Sequence, residues 1–241
     1  MDLQLNGKSV LVTGGSKGIG LACVRTFVAE GCRVHLASRT PRQVPEGVIA
    51  HAVDLRDAVG LQTLAAQCTG VDILVNNAGD IPGGTLESLD DAKWRHAWEL
   101  KVFGYINLTR AIFTAMKARR SGVIVNVIGM AAENPSPEYI CGATANAGLA
   151  AFTKALGKGS IEHGVRVVGV HPPSTRTDRI LQVMKAAAKA KLGDENRYEA
   201  LVGKGGMFGQ MIEPEQVADT VAFLASRRAG QLSGIVLNLG T

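Results

Sequence analysis

The sequence has no apolar run approaching the roughly 20 residues a helix needs to cross a bilayer, and its start, MDLQLNGKSV, lacks the basic segment and apolar centre of a secretory leader. A cytoplasmic protein with no membrane partner is therefore expected. Cysteine is sparse: Cys23, Cys32, Cys68 and Cys141 show neither C-x-x-C spacing nor a disulfide-scaffold rhythm. Reduced, mostly buried thiols follow, and no metal site is expected. Low-complexity tracts are also missing, and with 46% hydrophobic and 20% charged residues the chain has the composition of an ordered globule. The charge of +5 and pI of about 9.1 favour anionic ligands but are spread too thinly for a nucleic-acid partner. The tightest basic cluster, Lys117, Arg119 and Arg120, falls where a helix should end, and a solvated helix terminus is expected there.

What the sequence does contain is alternation. Its 241 residues suit one large α/β domain spanning 1–241. Apolar runs that read as buried strands occur at 9–13, 33–38, 48–53, 72–76, 123–128, 165–170 and 235–239, separated by helical patterns. Right-handed crossovers between such strands give a doubly wound, Rossmann-type parallel sheet with helices on both faces. A long helix is predicted over 93–118, and 146–162 belongs to a second. Their apolar faces exceed what one sheet needs, which leaves burial within the monomer and a subunit interface as alternatives. Over 177–211 the rhythm weakens into a basic helical piece and the loop-like GKGGMFG, the pattern of a substrate lid or of a surface excursion. Ile180, Met184, Met207, Phe208 and Met211 there suit a partly apolar small-molecule substrate or core packing.

TGGSKGIG, residues 13–20, follows the first strand and opens a helix. Glycines at 14, 18 and 20 permit a tight turn and let backbone N–H groups approach a pyrophosphate, whose charge the helix N-terminus stabilises. At the end of the second strand, a carboxylate would bind a ribose 2′-hydroxyl and repel a 2′-phosphate. Ser38 and Arg39 stand there instead, with Lys17 in the glycine loop, so NADP is favoured over NAD.

These landmarks, together with VDL at 53–55, NNAG at 76–79, AGLAAFTKAL at 147–156 and PEQVADTVAFLAS at 214–226, make the chain resemble the short-chain dehydrogenase/reductase family over essentially its whole length. The resemblance implies a seven-stranded parallel sheet and, commonly, a homodimer or homotetramer. It implies that Gly14, Ser16, Lys17, Gly18 and Ile19 lie on the pyrophosphate side, that Asp54 and Leu55 meet the adenine, and that Asn77, Ala78 and Gly79 line the cofactor ribose. It also implies catalysis by an asparagine, a serine, and a tyrosine and lysine spaced Tyr-x-x-x-Lys. Aligned on these landmarks, the four positions hold Lys101, Gly129, Gly142 and Asn146. Thr109, Ala143 and Val202 stand four places after Tyr105, Tyr139 and Tyr198, so no Tyr-x-x-x-Lys occurs in any register.

Hydride transfer to a carbonyl leaves an alkoxide that needs a proton, and a positioned acid is worth ~10² to 10⁴ in rate. Three readings are open. Relocated groups, with Tyr139, Lys101 and His171 as candidates, could carry an oxidoreductase reaction; Tyr139 would then share a helix face with Gly142. Alternatively, substrate or water could supply the proton in a pocket opened by Gly129 and Gly142. The third is a dinucleotide-holding or partner-binding protein without turnover. Pro173 in HPPSTRTD removes an N–H from the nicotinamide side, leaving Thr175 and Thr177 to reach a carboxamide. From Arg39 and Lys17, NADPH should bind tighter than NADH, with an affinity that falls as salt is added. Equal affinities in a fluorescence titration would remove the 2′-phosphate assignment.

Overall fold

The computed structural model describes residues 1–202 and 211–240. Seven parallel strands form one sheet in the order β3-β2-β1-β4-β5-β6-β7. They are β1 (Ser9–Thr13), β2 (Arg33–Ser38), β3 (Ile49–Ala52), β4 (Ile73–Asn76), β5 (Gly122–Val127), β6 (Val165–His171) and β7 (Val236–Asn238). The helices are α1 (Gly18–Ala29), α2 (Ala58–Gln67), α3 (Asp91–Trp98), α4 (Gly104–Ala118), α5 (Ile140–Gly159), α6 (Asp178–Leu192), α7 (Glu199–Val202) and α8 (Pro214–Ala225). The strand order reverses between β1 and β4, and the crevice above that switch point is where a doubly wound sheet binds ligands.

The two-residue period of β1 sorts its side chains between two cores. Val10 and Val12 pack with Phe27 of α1 and Val217 and Val221 of α8, whereas Leu11 packs with Leu64 of α2 and Leu108 and Ile112 of α4. Burial on both faces explains why the inner strands β1, β4, β5 and β6 read as continuous apolar runs. Helix starts are set locally: Asp57 accepts from the amides of Val59 and Gly60 at 3.1 and 3.0 Å, Asp90 from Lys93 at 2.8 Å, and Pro214 opens α8 inside a Glu213–Gln216 capping box.

A buried polar chain fixes the centre of the sheet against the helices that flank it. Asn76 and Asn126 are register partners on β4 and β5. The Asn76 amide donates to Thr109 Oγ1 of α4 and to Asn126 Oδ1, both at 2.9 Å, and Asn126 donates to Thr153 Oγ1 of α5 at 2.8 Å. Such a chain aligns both helices with the strand ends, because a shift would leave buried amides unpaired.

Several expectations are corrected here. The helix expected over 93–118 runs from Asp91 and is interrupted by a π-helical turn, Glu99–Phe103, between α3 and α4. Lys101 lies within that turn and is buried. The helix to which 146–162 was expected to belong runs from Ile140 to Gly159, and its expected last residues fall in a 3-10 turn over Ile161–His163. The basic cluster at the end of α4 is exposed, as expected of a helix end, and its arginines also tie down neighbouring loops: Arg119 donates to the carbonyls of Thr69 and Val71, and Arg120 to Glu162 O at 2.8 Å. Of the region expected to be a lid, 178–202 is largely helical, Ile180 and Met184 lie on α6 and Met211 is buried; Met207 and Phe208 lie outside the described residues. Among the described residues, no helix is long and apolar enough to cross a membrane.

Candidate active site

The glycine turn is pressed against the segment after β4. Gly14 has φ +67°, and a Cβ on Gly20 would lie 2.2 Å from Gly14 O and 2.5 Å from Asn77 Nδ2, so this turn tolerates no side chain there. Thr13 Oγ1 accepts from the amides of Asn77 and Ala78 at 2.9 and 3.1 Å, and Asn77 Nδ2 donates to Thr13 O at 3.1 Å. Asn77 and Ala78 are thereby fixed beside the turn, at the switch point. α1 begins at Gly18 with Lys17 as its N-cap and with no side-chain cap, so its first amides have no side-chain acceptor.

At the end of β2, the hydroxyls of Ser16 and Ser38 are 2.6 Å apart, which closes the glycine turn onto this strand. Arg39 is exposed and stands 3.9 Å from Asp80; Lys17 is exposed and makes no ion pair among the described residues. Asp54 holds Arg56, with Arg56 Nε 2.9 Å from Asp54 Oδ1, and this pairing keeps the carboxyl below its usual range. Leu55 is buried beneath it in the α2–α4 core.

The two glycines expected to open a pocket do not, because neighbouring side chains already occupy their space. A Cβ on Gly142 would lie 2.1 Å from both Cε1 and Cζ of Tyr139, whose ring therefore covers Gly142. A Cβ on Gly129, at φ +138°, would lie 2.8 Å from Asn146 Nδ2, which reaches the Gly129 carbonyl at 3.4 Å. Tyr139 was expected to share a helix face with Gly142, but it lies outside the helix, as the N-cap of α5 with φ −138° and ψ 32°, and its ring folds forward over the first turn. The Tyr139 hydroxyl makes no hydrogen bond among the described residues. Burial raises its pKa, and the Arg179 guanidinium pulls it back down.

Lys101 lies on the other side of Gly129. Its ammonium donates to Ile128 O at 3.0 Å and Val127 O at 3.2 Å, and its stem crosses the face of Gly79, where a Cβ would come within 2.6 Å of Cδ. Burial holds its pKa down to about 7, with the Arg179 guanidinium adding to the effect. His171, at the end of β6, is fully buried; its Nε2 is 3.5 Å from Glu133 Oε1, and neither ring nitrogen has a hydrogen-bond partner among the described residues. Burial keeps it below the ordinary histidine pKa, against the opposing pull of Glu133 and the Gly129 carbonyl.

Arg179 was not singled out from the sequence. It donates from the first turn of α6 to Ile81 O and approaches Asp80 Oδ1 at 3.7 Å, across a sequence separation of about a hundred residues that no local pattern reports. Thr175 is buried with its hydroxyl on Pro173 O at 3.0 Å, and Thr177 caps α6, accepting from Ile180 N at 3.4 Å. Both hydroxyls are thus engaged within the chain. Cys141 is buried as well, which raises its pKa and leaves no activated thiol.

This glycine turn, sheet order and switch-point segment define a class of dinucleotide-fold proteins, and the chain belongs to the short chain dehydrogenase family, whose model matches residues 8–188. It is 30% identical to 2,3-dihydro-2,3-dihydroxybenzoate dehydrogenase of Bacillus subtilis, with 95% of this chain and 93% of that protein covered. It is also 30% identical to a 3-oxoacyl-(acyl-carrier-protein) reductase of Vibrio cholerae, with 98% and 97% covered. Among solved structures, L-sorbose reductase from Gluconobacter frateurii, complexed with NADPH and L-sorbose, superposes with a TM-score of 0.92 at 28% identity, with 100% of this chain and 97% of that one covered.

Two predictions follow from the packing. Gly142→Ala should destabilise the protein by ~1–3 kcal/mol, since its methyl must displace the Tyr139 ring, and adding Tyr139→Ala should remove most of that loss. Urea unfolding of the four proteins of this cycle measures it, and additive effects would refute the contact. Lys101 gives a pH dependence. Between its folded value of about 7 and the ordinary 10.5 the unfolded chain binds more protons, so stability rises with pH through that window and the penalty of the buried ammonium is complete below it. Lys101→Met should flatten this rise, whereas parallel pH curves for the two proteins would exclude a buried ammonium.

Proposed function

We propose that the chain is an NADP-dependent oxidoreductase acting on a small, partly apolar carbonyl or alcohol, with Tyr139 as the acid and base and with cations relocated to Lys101 and Arg179. The observation that carries this reading is the Tyr139 ring lying over Gly142, which puts a phenol beside the position where the family resemblance places the tyrosine. The uncapped start of α1 and the glycine turn that admits no side chain suit a pyrophosphate, and Ser38 and Arg39 suit a 2′-phosphate. L-sorbose reductase, a structural neighbour, binds NADPH, as does an actinorhodin polyketide ketoreductase that superposes with a TM-score of 0.89 at 25% identity.

Bound NADPH supplies the hydride; the chain supplies the proton and the charge that balances it. In the reducing direction Tyr139 gives its hydroxyl proton to the developing alkoxide, and the resulting phenolate is stabilised by the Arg179 guanidinium, the charge that opposes the upward push of burial on its pKa. Lys101 holds the wall between Gly79 and the end of β5 and brings a titratable cation to the place where the resemblance puts asparagine. Asn146, at the lysine position, is held by the Gly129 carbonyl and carries no charge. The two residues thus exchange the places of cation and amide.

The test is reduction of a panel of small ketones and keto-sugars, followed by NADPH consumption. Tyr139→Phe should lower kcat by ~10² to 10⁴ while leaving NADPH affinity within about twofold. Full activity in Tyr139→Phe would exclude the phenol, and tight NADPH binding without turnover of any substrate would instead favour a protein that only holds the dinucleotide.

A further inference from the structure

Away from the dinucleotide crevice, three side chains with metal-binding atoms converge at the outer edge of the sheet. His35 is on β2, and His51 lies diagonally from it on β3, since His35 pairs with Ile49 and Ala37 with His51. Cys68 follows the last turn of α2 and is buried against both. His35 Nδ1 is 3.0 Å from His51 Nε2, and Cys68 Sγ is 3.8 Å from the first nitrogen and 4.0 Å from the second. The two rings stack with centroids 5.3 Å apart and planes 15° from parallel. We infer that His35, His51 and Cys68 form a zinc-binding site, with two imidazoles and one thiolate as ligands and a fourth position open to solvent.

The distances fit this chemistry. Zinc–nitrogen bonds of ~2.0–2.1 Å and zinc–sulfur bonds of ~2.3 Å, arranged tetrahedrally with the fourth position left open, separate sulfur from nitrogen by roughly 3.6 Å and nitrogen from nitrogen by roughly 3.4 Å. The sulfur edges, at 3.8 and 4.0 Å, need only a small closure to reach metal-bound lengths. Only the nitrogen edge must widen, and it is the one now closed by a hydrogen bond between the rings. Two imidazoles and a thiol are a donor set for zinc rather than for the oxygen-seeking magnesium or calcium. Both rings are half-buried, which leaves a side open for a water ligand.

Gln67 supplies the outer support of such a site. Its Oε1 is 3.1 Å from His51 Nδ1, and because an amide oxygen accepts, this contact suits the His51 tautomer that donates from Nδ1 and leaves Nε2 to face the cluster. A purely packed histidine pair needs no such orientation. The site would join β2, β3 and α2 just below Ser38 and Asp54, which end the same two strands on the adenosine side. The ligands recur at intervals of 16 and 17 residues, far outside the short spacings by which metal sites are read from sequence.

The experiment uses the reduced, full-length protein freed of metal with a chelator, then titrated with zinc chloride in a calorimeter and with cobalt(II) in an absorption spectrometer. One equivalent should bind, with a sulfur-to-cobalt charge-transfer band and the visible bands of low-coordinate cobalt. Cys68→Ser should lose the charge-transfer band, and Gln67→Ala, at an exposed position, should weaken zinc binding by roughly 10- to 100-fold with its circular dichroism unchanged. The absence of a charge-transfer band in the unaltered protein would overturn the inference, whether or not the cysteine variant folds. Zinc affinity unchanged by Gln67→Ala and Cys68→Ser would overturn it too.

Discussion

The crevice depends on one close approach, that of the turn after β1 to the segment after β4. Where Gly20 has no side chain, Asn77 Nδ2 and the Gly14 carbonyl occupy the space, and Thr13 receives the amides of Asn77 and Ala78. This contact fixes the N-terminus of α1, and with it a row of uncapped amides, beside the switch point of the sheet. A methyl group at Gly20 would separate the two segments. The rest of the carboxyl edge is assembled around that fixed corner: Gly79 continues from Ala78, Lys101 crosses Gly79, and Arg179 binds the chain just beyond.

Charge at this edge is arranged by burial as much as by residue type. An ammonium inside a protein is costly unless carbonyls surround it, and the two carbonyls at the end of β5 do so for Lys101, although burial still holds its pKa down to about 7. Tyr139 experiences the opposing effects of the same environment, with burial disfavouring its phenolate and Arg179 favouring it. The polar groups that set the charge of the crevice, Lys101, Tyr139 and Arg179, therefore lie on three separate elements: the π-helical turn, the entry to α5 and the start of α6.

Much of the architecture was legible before the structure. The seven apolar runs correspond to seven strands, the inner ones because burial on both faces leaves a continuous hydrophobic trace, and the glycine spacing marked the turn because steric exclusion acts over a few neighbouring residues. The π-helical turn was not legible, since one additional residue per turn barely disturbs a helical period, yet it is the turn that carries the buried Lys101. The reading of Gly129 and Gly142 as open space failed for a similar reason. A missing side chain shows in the sequence, but the neighbour that fills the gap does not, and here Asn146 and Tyr139 fill it.

The sequence by itself determined the fold class, the strand and helix alternation, the place of the glycine turn and the absence of any Tyr-x-x-x-Lys pair, because each of these is written in residues close together along the chain. The tertiary structure alone decided which groups meet: Tyr139 over Gly142, Arg179 beside the segment after β4, and His35 and His51 against Cys68. Those meetings depend on how strands register and how helices cross the sheet. Parallel pairing through long crossovers brings together residues whose separation in sequence carries no trace of their contact.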